Sequence, residues 1–229
     1  MSRPPRIQAP NILFHVINRG NGRNKIFFAN RDYLEYCDLI KFYKEKFAIR
    51  LYHYVLMPNH VHFLIEPLEE NALSAFMQGL TITHTKRFHV RNATVGHIWQ
   101  GRFKSIPIET DAYFLQCGRY IELNPVRASM SDHPSLYQWS SYHYYAEGKL
   151  DPLLDIYPFY EELGSTAAQR QKRYTSFIED EIPNIKSKTS MRFSEHQVYG
   201  SESFIDRLKN DFNFELLRPK VGRPRNNEA

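Results

Sequence analysis

Apolar and polar positions change period several times along the chain, and each change marks an element. Residues 12–20, "ILFHVINRG", alternate and predict a strand ending at Gly20. "NGRNK" then reads as a turn through its Asn-Gly chemistry, with "IFF" (26–28) as a short returning hairpin arm. A helix is predicted from Arg31 to about Phe47, N-capped by Asn30, with Leu34, Cys37, Leu39 or Ile40, and Tyr43 on one stripe. "IRLYHYVLMPN" (49–59) and "HVHFLIEP" (60–67) read as antiparallel partners joined by a tight turn at Met57-Pro58-Asn59. Asn71 is placed to cap a helix over roughly 72–90, its stripe being Leu73, Phe76, Met77, Leu80 and Thr83. "IWQGRFKSIPIE" (98–109) reads as a fourth strand, and Pro107 near its end predicts an edge or a bulge. A third helix, capped by Asp111, runs to about Leu123 and is stopped by Asn124-Pro125.

The order β-α-β-β-α-β-α contains the split βαβ arrangement of an α+β, ferredoxin-like sandwich. The predicted organisation is an α+β domain over 1–150, a helical and irregular C-terminal extension over 151–215, and a flexible Pro/Gly/Arg-rich tail over 216–229. The aromatic, turn-rich segment 130–150 is expected to pack on the first domain.

Composition narrows the class. With 42% hydrophobic and 24% charged residues in 229, the chain has an ordinary soluble globular make-up. No run approaches the roughly 18 apolar residues of a membrane span, and "MSRPPRIQAPN" lacks the apolar core of a secretory signal. Cys37 and Cys117 both sit in apolar segments, which suits buried thiols in a reducing cytoplasm. The net charge of +5 is modest but clustered. Residues 1–25 hold Arg3, Arg6, Arg19, Arg23 and Lys25 without an acid, and residues 84–104 hold Lys86, Arg87, Arg91, Arg102 and Lys104 without an acid. Acid-free basic blocks suit a polyanion-binding surface, although solvated surface charge accounts for them equally.

Two clusters could carry chemistry. On a strand, residues two apart share a face, so His60 and His62 project side by side. The His-Val-His motif alone is weak, but unpaired imidazoles entering an apolar strand need a partner. A divalent metal held by both rings and an oxygen ligand is one solution; a pair of structural histidines is the other. On the third helix, Phe114, Cys117 and Ile121 form the apolar stripe, while Tyr113, Gln116, Tyr120 and Asn124 share a separate polar face. Tyr120, one turn before Asn124, could act as a nucleophile beside an oxygen ligand, or be one more packing residue among 15 tyrosines.

Three blocks in order, "MPNHVHFLIEP", "IWQGRFKS" and "RYIELNPVRA", resemble the signature segments of the IS200-like tyrosine transposases, specifically the REP-associated branch. These belong to the HUH single-strand nucleases, named for a His, a bulky apolar residue and a second His. The resemblance runs from about residue 11 to about 145, and "GRPR" (222–225) is similar to the ending of many such proteins. It implies that His60, His62 and Asn124 hold a Mg²⁺ or Mn²⁺ ion and that Tyr120 is the nucleophile. It also implies cleavage and rejoining of single-stranded DNA beside REP-like palindromic hairpins through a 5′-phosphotyrosine, by a cytoplasmic, nucleoid-associated enzyme. Residues 130–229 favour the branch that acts as a monomer over dimeric relatives that supply the tyrosine in trans. Arg19, Arg23, Lys86, Arg87, Arg91, Arg102 and Lys104 are then expected to contact phosphates. Trp99, with Phe103 and Tyr54, would stack unpaired bases, and Arg223 and Arg225 would clamp a minor groove. The rivals are a catalytically silent DNA-binding regulator on the same fold and a zinc hydrolase in which Tyr120 is incidental.

Overall fold

A computed structural model describes residues 9–187 and 197–212 of the chain. Arg223 and Arg225, and with them the expected minor-groove clamp, lie outside the described residues.

Strand β1 (Leu13–Arg19) leads through a 3₁₀ turn (Asn21–Arg23) to helix α1 (Asn30–Lys46), then β2 (Ile49–Met57) and β3 (His60–Pro67). Helix α2 (Ala72–Asn92), β4 (Lys104–Ile108) and α3 (Thr110–Glu122) follow. The sheet order is β2-β3-β1-β4 with every neighbouring pair antiparallel, which is the α+β arrangement expected from the alternation. Pro107 is accommodated because β4 is the edge. Beyond β1, Ile108 makes a parallel bridge to Tyr199 of the C-terminal extension, which covers part of that edge.

Several expected boundaries shift. Ile26 and Phe27 form no hairpin arm; their N–H groups donate to the Pro58 carbonyl at 2.7 and 3.1 Å and brace the β2–β3 turn. The first cap is not Asn30: helix α1 begins there, and the Asp32 carboxylate accepts from the N–H groups of Phe28 and Ala29 at 2.7 and 3.0 Å. Tyr33, Tyr36, Leu39 and Ile40 are the buried apolar residues of α1, whereas Leu34 is 57% exposed, so the stripe is rotated by one position. Asn71 stands at the N-cap of α2 with φ +63° and no side-chain cap bond. The fourth strand is shorter than predicted, Trp99 contributing only an isolated bridge to Gly20. Helix α3 starts at Thr110 with Glu109 at its cap, so Asp111 lies inside the first turn.

Cross-strand pairing determines which face each side chain takes. Phe14, Val16, Phe63 and Ile65 face α1 and α2 and build the larger core with Phe76, Met77 and Leu80. The opposite face carries Leu13, Ile17, Val55, Leu64, Ile106 and Ile108 and is covered by α3 through Phe114, Cys117 and Ile121. Gly118 explains a glycine in mid-helix: a Cβ there would stand 2.6 Å from the ring of His53 on β2, so only glycine lets α3 lie this close.

After Glu122 the chain turns into α4 (Asn124–Arg127), then a 3₁₀ turn (Pro134–Leu136), α5 (Tyr142–Glu147), α6 (Pro158–Glu161), α7 (Ala167–Glu179), α8 (Ile182–Lys186) and α9 (Glu202–Phe212). The segment 130–150 does pack on the sheet domain: Trp139 stacks on Tyr33 at 4.7 Å, and Tyr137 donates to the Leu56 carbonyl at 2.7 Å. A third apolar cluster joins Leu123, Val126, Tyr142 and Tyr145 to Tyr160, Tyr174 and Ile178, so burial is continuous across residue 150.

Candidate active site

The pairing of β1 with β3 sets Arg19 opposite His60 and Ile17 opposite His62, and β4 sets Lys104 opposite Ile17. His60, His62, His15, Arg19 and Lys104 therefore share the face that α3 covers. Tyr120, set on a polar face by the helical pattern, is buried in the structure. It is 6% exposed, docked edge-on to His15 and His62 with ring centroids 5.6 and 6.0 Å away. The reason is that Tyr120 packs against the sheet in the same cluster as Phe114, Cys117 and Ile121, so the sheet-facing arc of α3 is wider than its apolar stripe.

Both histidines of the motif are oriented through one ring nitrogen. His60 Nδ1 lies 2.6 Å from Asn59 Oδ1, and His62 Nδ1 lies 2.8 Å from His15 Nε2. Burial drives the His60 imidazole down to about 4, the charge of Arg19 adding to it. His62, 2% exposed, is pushed well below its ordinary value first by burial and then by His15, His60, Arg19 and Arg127. Both rings are thus neutral around pH 7, as a nitrogen ligand must be.

Asn124 is 8% exposed and its amide N–H groups donate to the carbonyls of Tyr120 and Ile121 at 2.9 and 3.1 Å. These carbonyls can only accept, which assigns the nitrogen to them and leaves Oδ1 as the atom able to bind a cation. Among the described residues, no group of three His, Cys, Asp or Glu side chains could hold a metal ion. With their Nδ1 atoms held by Asn59 and His15, His60 and His62 keep Nε2 as the ring nitrogen able to bind a cation. A pair of imidazoles whose Nδ1 atoms are each held by a neighbour fits a divalent ion with open positions.

Two residues of this site were missed by sequence reading. His15 lies 47 positions from His62 and arrives only through strand register. Arg127, quoted within "NPVRA" but given no role, places its guanidinium 4.6 Å over the Tyr120 ring. Only the offset of one imidazole among alternating apolar residues could have flagged His15.

The basic residues divide. Arg19 and Lys104 are on the histidine face, Arg23 lies beside the turn where Asn59 donates to its carbonyl at 3.0 Å, and Arg102 precedes β4. Lys86, Arg87 and Arg91 lie on α2, against the other face of the sheet, and line a cleft of about 580 Å³ with Arg31, Glu35 and Val90. Arg91 is ion-paired with Asp32 and Glu35. Trp99 is half-buried and donates to Thr85 Oγ1 at 3.1 Å, so its indole is engaged by α2. Tyr54 is 6% exposed and donates to Asp151 at 2.7 Å, which removes it from any base-stacking surface.

A sheet that presents paired histidines to a tyrosine on the covering helix has the fold of a solved REP-associated tyrosine transposase bound to a REP hairpin. The likeness has a TM-score of 0.54 at 21% identity, over 69% of this chain and 92% of that one. The chain belongs to the IS200-like transposase family, whose model matches residues 8–124. A presumed transposase from Deinococcus radiodurans R1 is a more distant likeness, with TM-score 0.37 and 16% identity over 53% of this chain and 96% of that one. A search of the curated proteins gives no match. Among the described residues, no helix is long and apolar enough to cross a membrane.

Proposed function

We propose that this transposase is a metal-dependent single-strand DNA endonuclease and strand transferase of the REP-associated type, acting beside palindromic hairpins in the cytoplasm, at the nucleoid. The observation that carries this reading is the meeting of His60, His62 and Tyr120 on one buried face, from two elements far apart in sequence. The Tyr120 oxygen attacks the phosphorus and gives up its proton to solvent, forming a 5′-phosphotyrosine, as the bond to the 3′ oxygen breaks and that oxygen takes up a proton to leave as a 3′-hydroxyl. One phosphodiester replaces another, so the step reverses onto a second strand without ATP.

His60 Nε2, His62 Nε2 and Asn124 Oδ1 would hold the Mg²⁺ or Mn²⁺ ion, which supplies charge withdrawal from the phosphate oxygens. For His62 to offer Nε2, its proton must sit on Nδ1 and be donated to His15 Nε2, so His15 fixes the tautomer. The Arg127 guanidinium over the Tyr120 ring favours negative charge developing on the phenol. Because the tyrosine meets the histidines of its own chain, the arrangement supports catalysis by a monomer. Arg19 and Lys104, on that same face, are suited to phosphate contacts at the scissile strand.

The test is incubation of the full chain and Tyr120→Phe with hairpin oligonucleotides carrying single-stranded flanks and Mn²⁺. The expected result is an SDS-stable protein–DNA adduct from the wild type, none from Tyr120→Phe, and none with EDTA. Hairpin binding without an adduct would establish the silent regulator; chelator-sensitive hydrolysis that survives Tyr120→Phe would establish the metal hydrolase.

A further inference from the structure

Two residues beyond Tyr120 on α3 stands Glu122, a carboxylate with no exposure at all. Its Oε1 accepts from His53 Nδ1 at 2.9 Å and from Ser141 Oγ at 2.6 Å, and its Oε2 accepts from the Tyr174 hydroxyl at 2.8 Å. His53 comes from β2 and stacks on Tyr145 at 4.3 Å; Tyr145 in turn donates to the Tyr52 carbonyl at 2.7 Å. One buried oxygen pair thus joins the sheet, α3, α5 and α7.

A second tie lies on the other side of the tyrosine. Arg119 on α3 donates to the Phe177 carbonyl at 3.1 Å, stacks on the Phe177 ring at 4.1 Å and pairs with Glu181 at 3.3 Å. Glu181 also pairs with Arg127 at 3.8 Å, the cation over the Tyr120 ring. Residues 174–181, beyond the segment matched by the family model, therefore grip α3 before and after the nucleophile.

We infer that the C-terminal extension is a clamp that positions the nucleophile, with Glu122 as its buried hub and Tyr174 and Glu181 as its positioning residues. A buried carboxylate is a poor device for stability, since well-packed apolar residues stabilise as well or better. What it supplies is direction: three donors fix the carboxylate and so the rotation and height of α3, and removing one leaves a charge under-satisfied. The inference rests on Tyr120 being the attacking group.

The experiment compares Tyr174→Phe, Glu122→Gln and Glu181→Gln in the full chain, with Tyr160→Phe as control. Tyr160 is in the same apolar cluster, but its hydroxyl donates to the Tyr145 carbonyl at 2.7 Å rather than to Glu122. In the three clamp variants, amide exchange over residues 113–127 is expected to quicken about tenfold to a hundredfold while that of β1 and β3 stays unchanged. Single-turnover cleavage at saturating hairpin should fall at least about tenfold with hairpin Kd within about twofold. Tyr160→Phe should do neither. Unchanged exchange of α3 in Tyr174→Phe and Glu181→Gln overturns the clamp, as does an equal loss of cleavage in Tyr160→Phe. A wild type that cleaves no hairpin refutes the functional reading instead, and the exchange data alone then decide the clamp.

Discussion

Gly118→Ala adds one methyl group at the place where α3 meets β2. The new Cβ would lie 2.6 Å from His53 Cε1 and Nε2 and 2.9 Å from Cδ2, whereas ordinary contact begins at 3.4 Å, so about 0.8 Å has to be found. His53 has nowhere to withdraw: it is fully buried, tied through Nδ1 to Glu122, stacked on Tyr145 at 4.3 Å and flanked by Phe114 at 5.3 Å. The helix must therefore yield, and it carries Tyr120 with it. Overpacking of this kind costs about 1–3 kcal/mol, while alanine in place of glycine within a helix returns about 1 kcal/mol. The net loss of stability is then about 0–2 kcal/mol. Displacing a reacting group by an amount approaching 1 Å lowers the rate by up to about a hundredfold. The expected signature is a small fall in unfolding free energy by urea titration, an unchanged hairpin Kd, and a single-turnover cleavage rate reduced about tenfold to a hundredfold. A variant that gains about 1 kcal/mol, as free helix propensity dictates, and cleaves at the wild-type rate would refute the tight approach of α3 and the argument built on it.

Three further outcomes follow from the same geometry. Replacing His15 with Leu removes the partner of His62 Nδ1, and Mn²⁺ affinity by calorimetry should drop about 10–100-fold with hairpin affinity retained; equal affinity would remove His15 from the site. His84, buried and 3.1 Å from the Ile26 carbonyl, is held down to about 4 by desolvation, against about 6.5 when unfolded. Its stabilising contribution is intact above the unfolded value and is lost as pH falls from about 6.5 toward 4, so between pH 7 and 5 it accounts for about 2 kcal/mol of lost stability. Urea titrations at both pH values should show that increment missing in His84→Gln; the same loss in both proteins would contradict it. Finally, hairpins with single-stranded flanks should be cleaved in preference to blunt duplex of the same sequence, which is too stiff to bend a scissile phosphate to a buried tyrosine. Arg19→Ala or Lys104→Ala should each flatten the slope of log K against log salt by about 0.7, and an unchanged slope would take that residue off the phosphate path.

What the sequence determined on its own is whatever depends on local period. The bounds of β3, the shared face of His60 and His62, the Leu73, Phe76, Met77 and Leu80 stripe of α2, and the α+β order all come from side chains recurring at two or 3.6 residues. Three separate blocks in the right order were also enough to point to the family. Tertiary structure decided everything that depends on which surfaces meet. His15 reaches His62 because β1 pairs with β3 in one register, and a slip of one residue would turn it to the other core. Tyr120, assigned to a polar face by its own helix, is buried because the sheet meets a wider arc of α3 than its apolar stripe, with His15 and His62 against the ring, a fact no period within α3 encodes. Glu122 looks like an ordinary charged residue near a helix end until His53, Ser141 and Tyr174 converge on it from three other elements. Leu34 looks like core and is exposed, since helix propensity leaves the rotation of α1 free and the packing of Tyr33, Tyr36 and Ile40 against α2 and the sheet selects it. Backbone geometry repeats along the chain and can be read from it; docking distances and cross-strand registers are set by the fit of surfaces distant in sequence, and those exist only once the chain has folded.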